Sequence, residues 1–113
     1  MGGGVSEQRH VDLILDDDGH LAKPDAWAEP TARLLAEREG VELGPDHWRV
    51  INVARDFYRE TGVSPSMRPL IRLVRDHVDT ELASSLALMR LFPGSPARRV
   101  ARIAGLPRPD KCL

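Results

Sequence analysis

The sequence holds a single cysteine, Cys112, in its next-to-last position. It closes the run Gly105-Leu106-Pro107-Arg108-Pro109-Asp110-Lys111-Cys112-Leu113. Free cysteine behaves as a small hydrophobe and is normally buried where packing surrounds it. A thiol behind two prolines and three charged side chains gains little from packing and is placed to be reached. With no second cysteine it closes no internal disulfide, so its chemistry involves another molecule. The thiolate is the reactive form. Arg108 and Lys111 favour it, and the terminal carboxylate of Leu113 opposes them.

No other constellation amounts to a catalytic centre. His10, His20, His47 and His77 lie far apart and show no metal-ligand spacing, and one cysteine alone does not define a zinc site, so no metal or cofactor is expected. No Gly-rich phosphate loop follows a strand, and no serine-nucleophile motif is present. Asp16-Asp17-Asp18-Gly19 invites a calcium reading, but the twelfth position counted from Asp16 is Trp27 where a calcium loop needs Glu. Asp-Gly between short β-prone runs reads as a hairpin turn.

The basic residues are unevenly spread. Residues 1–66 carry 7 basic and 13 acidic side chains, whereas residues 67–113 carry 9 and 4, for a chain total of −1. Such asymmetry points to an anionic partner for the second half, or to solvated helix faces. Arg98, Arg99, Arg102, Arg108 and Lys111 lie nearest the thiol in sequence and are the candidate partner-binding residues. Arg68, Arg72 and Arg75 share one helix face by their spacing. With the Gly-containing connection Glu60–Ser64 they sketch a helix-turn-helix whose second helix would meet nucleic acid. Packing with a solvated arginine face is the alternative.

Several elements must position these groups. Residues 1–10 are polar and glycine-rich and read as a flexible lead-in. Val11–Leu15 and His20–Ala22 flank the Asp-rich turn. A first helix is expected after Asp25, ending at Gly40, and a second from Pro45 to Gly62. A third starts at Ser64-Pro65 and runs to about Val78, a fourth covers Thr80–Leu91, and a short fifth covers Ala97–Ala104 with Gly105 as its cap. Trp48, Phe57 and Tyr58 fall at helical spacing and read as core. The 113 residues, 42% hydrophobic and 29% charged, suit one small globular domain. No apolar run approaches the ~18 residues of a membrane span, no secretion signal is visible, and a lone cysteine fits a reducing cytoplasm.

Leu91-Phe92-Pro93, Pro96-Ala97, Ile103-Ala104-Gly105-Leu106-Pro107-Arg108-Pro109 and Cys112 resemble the C-terminus of the DsrC/TusE family. Upstream, Trp27-Ala28-Glu29-Pro30, Pro45-Asp46-His47-Trp48, Val53-Ala54-Arg55-Asp56-Phe57-Tyr58 and Ser64-Pro65 match the same family in order and spacing. The resemblance covers the chain from about Val11 onward. The inner cysteine of the family's two-cysteine branch falls at Ala101, so the chain is similar to the one-cysteine branch. The segment Glu81–Met89 and Gly94 depart from the family pattern.

The resemblance implies an α+β, mostly α fold: a small N-terminal β-hairpin packed on about five helices, with residues 11–104 as the domain and 105–113 as a mobile C-terminal arm. It implies a sulfur-relay protein carrying sulfane sulfur as a persulfide on Cys112, a carrier rather than a self-sufficient enzyme. A TusBCD-like complex would donate the sulfur, and an MnmA-like tRNA thiolase with bound tRNA would receive it for wobble-uridine 2-thiolation. A DsrC-like paralogue serving sulfite reductase and a DNA-binding regulator are the alternatives.

Overall fold

The computed structural model describes residues 13–109. Five α-helices follow in order: α1 Glu29–Glu39, α2 Pro45–Thr61, α3 Met67–His77, α4 Ser85–Leu91 and α5 Pro96–Ile103. Single 3-10 turns occupy Pro24–Ala26 and Thr80–Leu82. The expected first strand, Val11–Leu15, begins outside the described residues. What is described there is a turn, Asp16–Gly19, closed by one antiparallel bridge between Leu15 and Leu21. The Asp16 carboxylate accepts from the backbone N–H of Asp18 and of His20, both at 2.9 Å, which makes it a turn former.

Three helix boundaries differ from the sequence expectation, each for a local reason. α1 starts at Glu29 and not after Asp25, because Trp27 and Ala28 are held extended. Pro30 then falls at the second helical position, where its missing N–H has no intrahelical partner to lose. α3 starts at Met67 because the Ser64 hydroxyl is committed to the carbonyl of Pro107. The expected helix over 80–91 is divided by two competing caps: Asp79 accepts from Glu81 N–H at 2.9 Å, and Ser84 accepts from Ala87 N–H at 3.0 Å.

α5 is the hub. It touches all four other helices, and Pro96, Ala97, Val100, Ala101 and Ile103 of its eight residues are buried. Ala97 and Ala101, one turn apart, let its neighbours approach closely. Around it close Val50, Ile51 and Ala54 of α2, Leu70 and Val74 of α3, Leu88 of α4, and Phe92. His47 ties the periphery together. Its Nδ1 accepts from Gly44 N–H at 3.1 Å and its Nε2 donates to Leu91 O at 2.9 Å, with the ring edge-on to Phe92.

The segment after α5 corrects the expectation of an arm free from Gly105 onward. Gly105, Leu106 and Pro109 are buried, and Leu106 is a wholly buried member of the core. An apolar side chain three residues beyond the hub helix gains more from burial than from water, about 1.5–3 kcal/mol for a leucine. Leu106→Ala should therefore lower the free energy of unfolding by about 2–5 kcal/mol in chemical denaturation. A free arm would give a change within about 0.5 kcal/mol.

Candidate functional site

A helix leaves its last carbonyls without intrahelical donors, and these must be satisfied elsewhere when the end is buried. At the end of α5 the donors are side chains from four distant parts of the chain. Trp27 Nε1–H donates to Ile103 O at 2.9 Å, and Arg55 Nη1–H to Ala104 O at 2.7 Å. His20 Nδ1–H donates to Leu106 O at 2.9 Å, and Ser64 Oγ–H to Pro107 O at 2.5 Å. The backbone turns sharply between them: Leu106 N–H reaches Ala101 O at 2.8 Å, and Gly105 has φ 71°.

The Arg55 guanidinium lies 4.0 Å from the centre of the Trp27 ring, a cation–π contact that braces two of the four donors. Trp27 also closes over Gly105 so tightly that a Cβ there would lie 2.5 Å from Trp27 Cδ1. Outside the socket, Arg108 Nη1 meets Asp18 Oδ2 at 3.1 Å with both side chains half exposed, a pair worth at most ~1 kcal/mol.

Cys112 and Lys111 lie outside the described residues. Only three peptide links separate Cys112 from the anchored Pro109. Its Cα is thus confined to within ~11 Å of that of Pro109, against the ~25–29 Å that an arm free from Gly105 would span.

The basic residues predicted beside the thiol are not one free patch. Arg99 pairs with Glu39 Oε1 at 3.3 Å and donates to Glu39 O at 3.2 Å. Arg102 lies 3.6 Å from the same carboxylate and donates to Asp18 O at 3.2 Å. Arg98 forms no ion pair or hydrogen bond with described residues and lines a hollow with Met67 and Met89. On α3, Arg68, Arg72 and Arg75 are all exposed; Arg75 sits 3.6 Å from Asp76.

Sequence reading did not assign the four socket donors. They are separated from their acceptors by 76, 49, 86 and 43 residues, so no local pattern announces the pairing. Three of them do sit inside segments that carried the family resemblance, and only His20 lies outside those segments.

Comparison with known proteins accounts for that pattern. A family model described as DsrC like protein matches residues 7–113. Sulfurtransferase TusE of Escherichia coli K12 is 43% identical over 102 residues, 90% of this chain and 94% of that protein. The TusE homolog of Haemophilus influenzae is 39% identical over 103 residues, 91% of this chain and 94% of its own. The NMR structure of Allochromatium vinosum DsrC superposes with a TM-score of 0.80 at 34% identity, covering 89% of this chain and 90% of that one. The oxidised γ-subunit of dissimilatory sulfite reductase (DsrC) from Archaeoglobus fulgidus gives 0.77 at 34% identity, covering 89% and 92%.

The chain belongs to the DsrC family.

Within this DsrC-family chain the scattered family motifs meet one another. The Trp27, Arg55 and Ser64 segments all converge on Ile103–Pro107, and the His47 segment meets Leu91-Phe92. Ala101, the position that the family resemblance assigns to the inner cysteine of the two-cysteine branch, is 1% exposed on α5. Any bridge to that position would require opening the hub.

His20 is wholly buried and makes the socket sensitive to pH. Because Leu106 O only accepts, Nδ1 carries the proton, and Nε2 is buried without a partner among the described residues. Protonation would place an unpartnered N–H and a charge there. Burial therefore pushes the His20 pKa down, against weaker support from the Leu106 carbonyl and Asp16. A depressed imidazole pKa means that the unfolded chain binds the extra proton first, so stability is full above about pH 6.5 and falls as pH drops below it. The unfolding midpoint should decline between pH 7 and 5.5, and His20→Gln should flatten that slope. A flat wild-type profile would mean that the ring charges freely. Asp16, whose carboxyl is lowered chiefly by the N–H of His20, contributes a separate loss only below about pH 4.

Gly105→Ala should cost about 2–4 kcal/mol, from a positive φ and a collision with the Trp27 ring together. It should also redshift Trp27 fluorescence as the indole leaves its packed position. Wild-type stability and spectrum in that variant would mean that the ring yields without loss.

Proposed function

We propose that this DsrC-family protein is a sulfur-relay carrier of the TusE type, holding sulfane sulfur as a persulfide on Cys112 and delivering it toward wobble-uridine 2-thiolation of tRNA. The observation that carries the reading is a single cysteine three links beyond the buried Pro109, at the end of a segment whose carbonyls are held by four side chains from elsewhere in the fold. The TusE relatives, similar over nine-tenths of the chain, are named sulfurtransferases, which supports the same chemistry.

In loading, the Cys112 thiolate attacks the terminal sulfur of a donor persulfide. The donor S–S bond breaks, the donor leaves as its thiolate, and Cys112 becomes Cys-S-S⁻. In delivery an acceptor thiolate attacks that outer sulfur and releases the Cys112 thiolate. Each step moves one sulfane sulfur between thiolates with no net oxidation. Rates follow thiolate fraction, nucleophilicity and access.

The donor would be a TusBCD-like complex and the acceptor an MnmA-like tRNA thiolase with its bound tRNA, which performs the chemistry on the base. Among the described basic residues nearest the thiol in sequence, Arg98 is the one free to meet such partners, because Arg99 and Arg102 already face Glu39 and Arg108 faces Asp18. A relay by intramolecular disulfide, as in a two-cysteine protein, is disfavoured by Ala101.

Incubation with a persulfide donor should add ~32 Da, one sulfur atom, to the wild type and nothing to Cys112→Ser, since only a thiolate accepts sulfane sulfur. Intact mass spectrometry reads both, and equal loading of the variant would sink the carrier reading.

A further inference from the structure

We infer that the trough between α3, α4 and the start of α5 is the docking surface for a protein that exchanges sulfur with Cys112, and that it receives an acidic, apolar segment of that protein. The inference rests on Cys112 being the carrier thiol. Two hollows of about 700 and 240 Å³ share Met67 and Ser85 in their walls and so lie side by side, together making up the trough. Its apolar lining comes from Met67, Ile71 and Met89. Met89 is 44% exposed, and Leu86, one turn earlier on α4, is 63% exposed. Singly exposed apolar residues need no explanation, but a cluster beside a hollow marks a contact surface. Methionine side chains adapt to a partner's shape.

The charge is one-sided. Arg68, Arg72 and Arg98 line the trough, and no carboxylate does. None of the three forms an ion pair with a described residue, whereas Arg99, Arg102 and Arg108 each face Glu39 or Asp18. Position completes the case. Ser66, which lines the larger hollow, follows by two residues the Ser64 that holds the Pro107 carbonyl, a span of ~7 Å. The trough therefore lies close to the anchored segment that leads on to Cys112, and a partner seated there is held near that segment.

Nucleic acid is the other polyanion to weigh. No aromatic ring lines the trough, so the stacking that holds single-stranded bases is absent from its lining. The apolar wall also has no counterpart on a phosphate backbone. A protein segment combining carboxylates with aliphatic side chains matches both features.

The test uses the full chain with two sulfur sources: cysteine persulfide, and a persulfidated TusBCD-type donor complex, with an MnmA-type thiolase and tRNA as acceptor. Ser85 is exposed and lines both hollows, so it can be changed without disturbing the core. Ser85→Glu should load from cysteine persulfide within twofold of wild type. Its exchange with the donor complex, the thiolase or both should slow at least tenfold below saturation, through association. Ser85→Lys should exchange as fast as wild type or faster, and Met89→Ser should slow protein exchange alone.

Unchanged protein exchange in Ser85→Glu, with both donor and acceptor, would overturn the docking surface. Equal losses in Ser85→Glu and Ser85→Lys would overturn the acidic partner. Weakened binding of free tRNA with unaltered protein exchange would assign the trough to nucleic acid and overturn the proposal. Failure of the wild type to load even from cysteine persulfide is a separate result, which would remove the carrier reading and the docking surface with it.

Discussion

Carbonyl oxygens at the C-terminal end of α5 and in the turn just beyond it must find donors inside the protein, and the way they do so governs the rest of the structure. Trp27, Arg55, His20 and Ser64 come from the stretch before α1, the middle of α2, the Asp-rich turn and the α2–α3 connection. Each neutral bond of this kind contributes about 1 kcal/mol, and the one from a guanidinium about 1.5–3 kcal/mol. The cost of leaving such a carbonyl buried and unpaired is of the same size, so the four donors are coupled to the folding of the whole chain. The boundaries of α1 and α3 shift to supply them. Trp27 stays extended and Ser64 stays outside the helix because both are already engaged.

That constraint shapes the chemistry at Cys112. A thiol on an arm free from Gly105 would sweep a radius of up to ~29 Å and meet partners in many orientations. A thiol within ~11 Å of an anchored proline samples a far smaller volume, which raises its effective concentration toward anything docked beside the anchor. The short lead also excludes partners that do not dock there. Anchoring thus trades reach for selectivity, which would suit the sulfur-carrier role proposed for Cys112.

Much of this was legible in the sequence. Helix periodicity and the proline and glycine boundaries pointed to five helices. The family motifs were visible as segments, but nothing local in Trp27-Ala28-Glu29-Pro30 or Ser64-Pro65 says that these side chains face Ile103 and Pro107. Contacts separated by 43 to 86 residues leave no periodic trace. The prolines misled: Pro107 and Pro109 do stiffen an extended segment, but extension is compatible with lying in a groove. Leu106 was the missed signal, a large apolar residue that solvent would not favour. The division of residues 80–91 was hidden because a helix started at Asp79 could run on through Ser84, and nothing local says that Ser84 also caps a second helix.

The basic half of the chain, uniform as a charge count, separates in three dimensions into two populations. Arg99, Arg102 and Arg108 face Glu39 and Asp18, so the acidic first half supplies their counter-charges and they help close the domain. Arg68, Arg72 and Arg98 face no acid among the described residues, and all three border the same apolar trough. An arginine already beside a carboxylate adds little field to its surroundings, while an unpaired one remains available to steer an approaching anion. The unpaired basic surface of the described residues is therefore not the stretch nearest the thiol in sequence. It is the face of α3 and the first turn of α5, the surface that the docking proposal assigns to a partner.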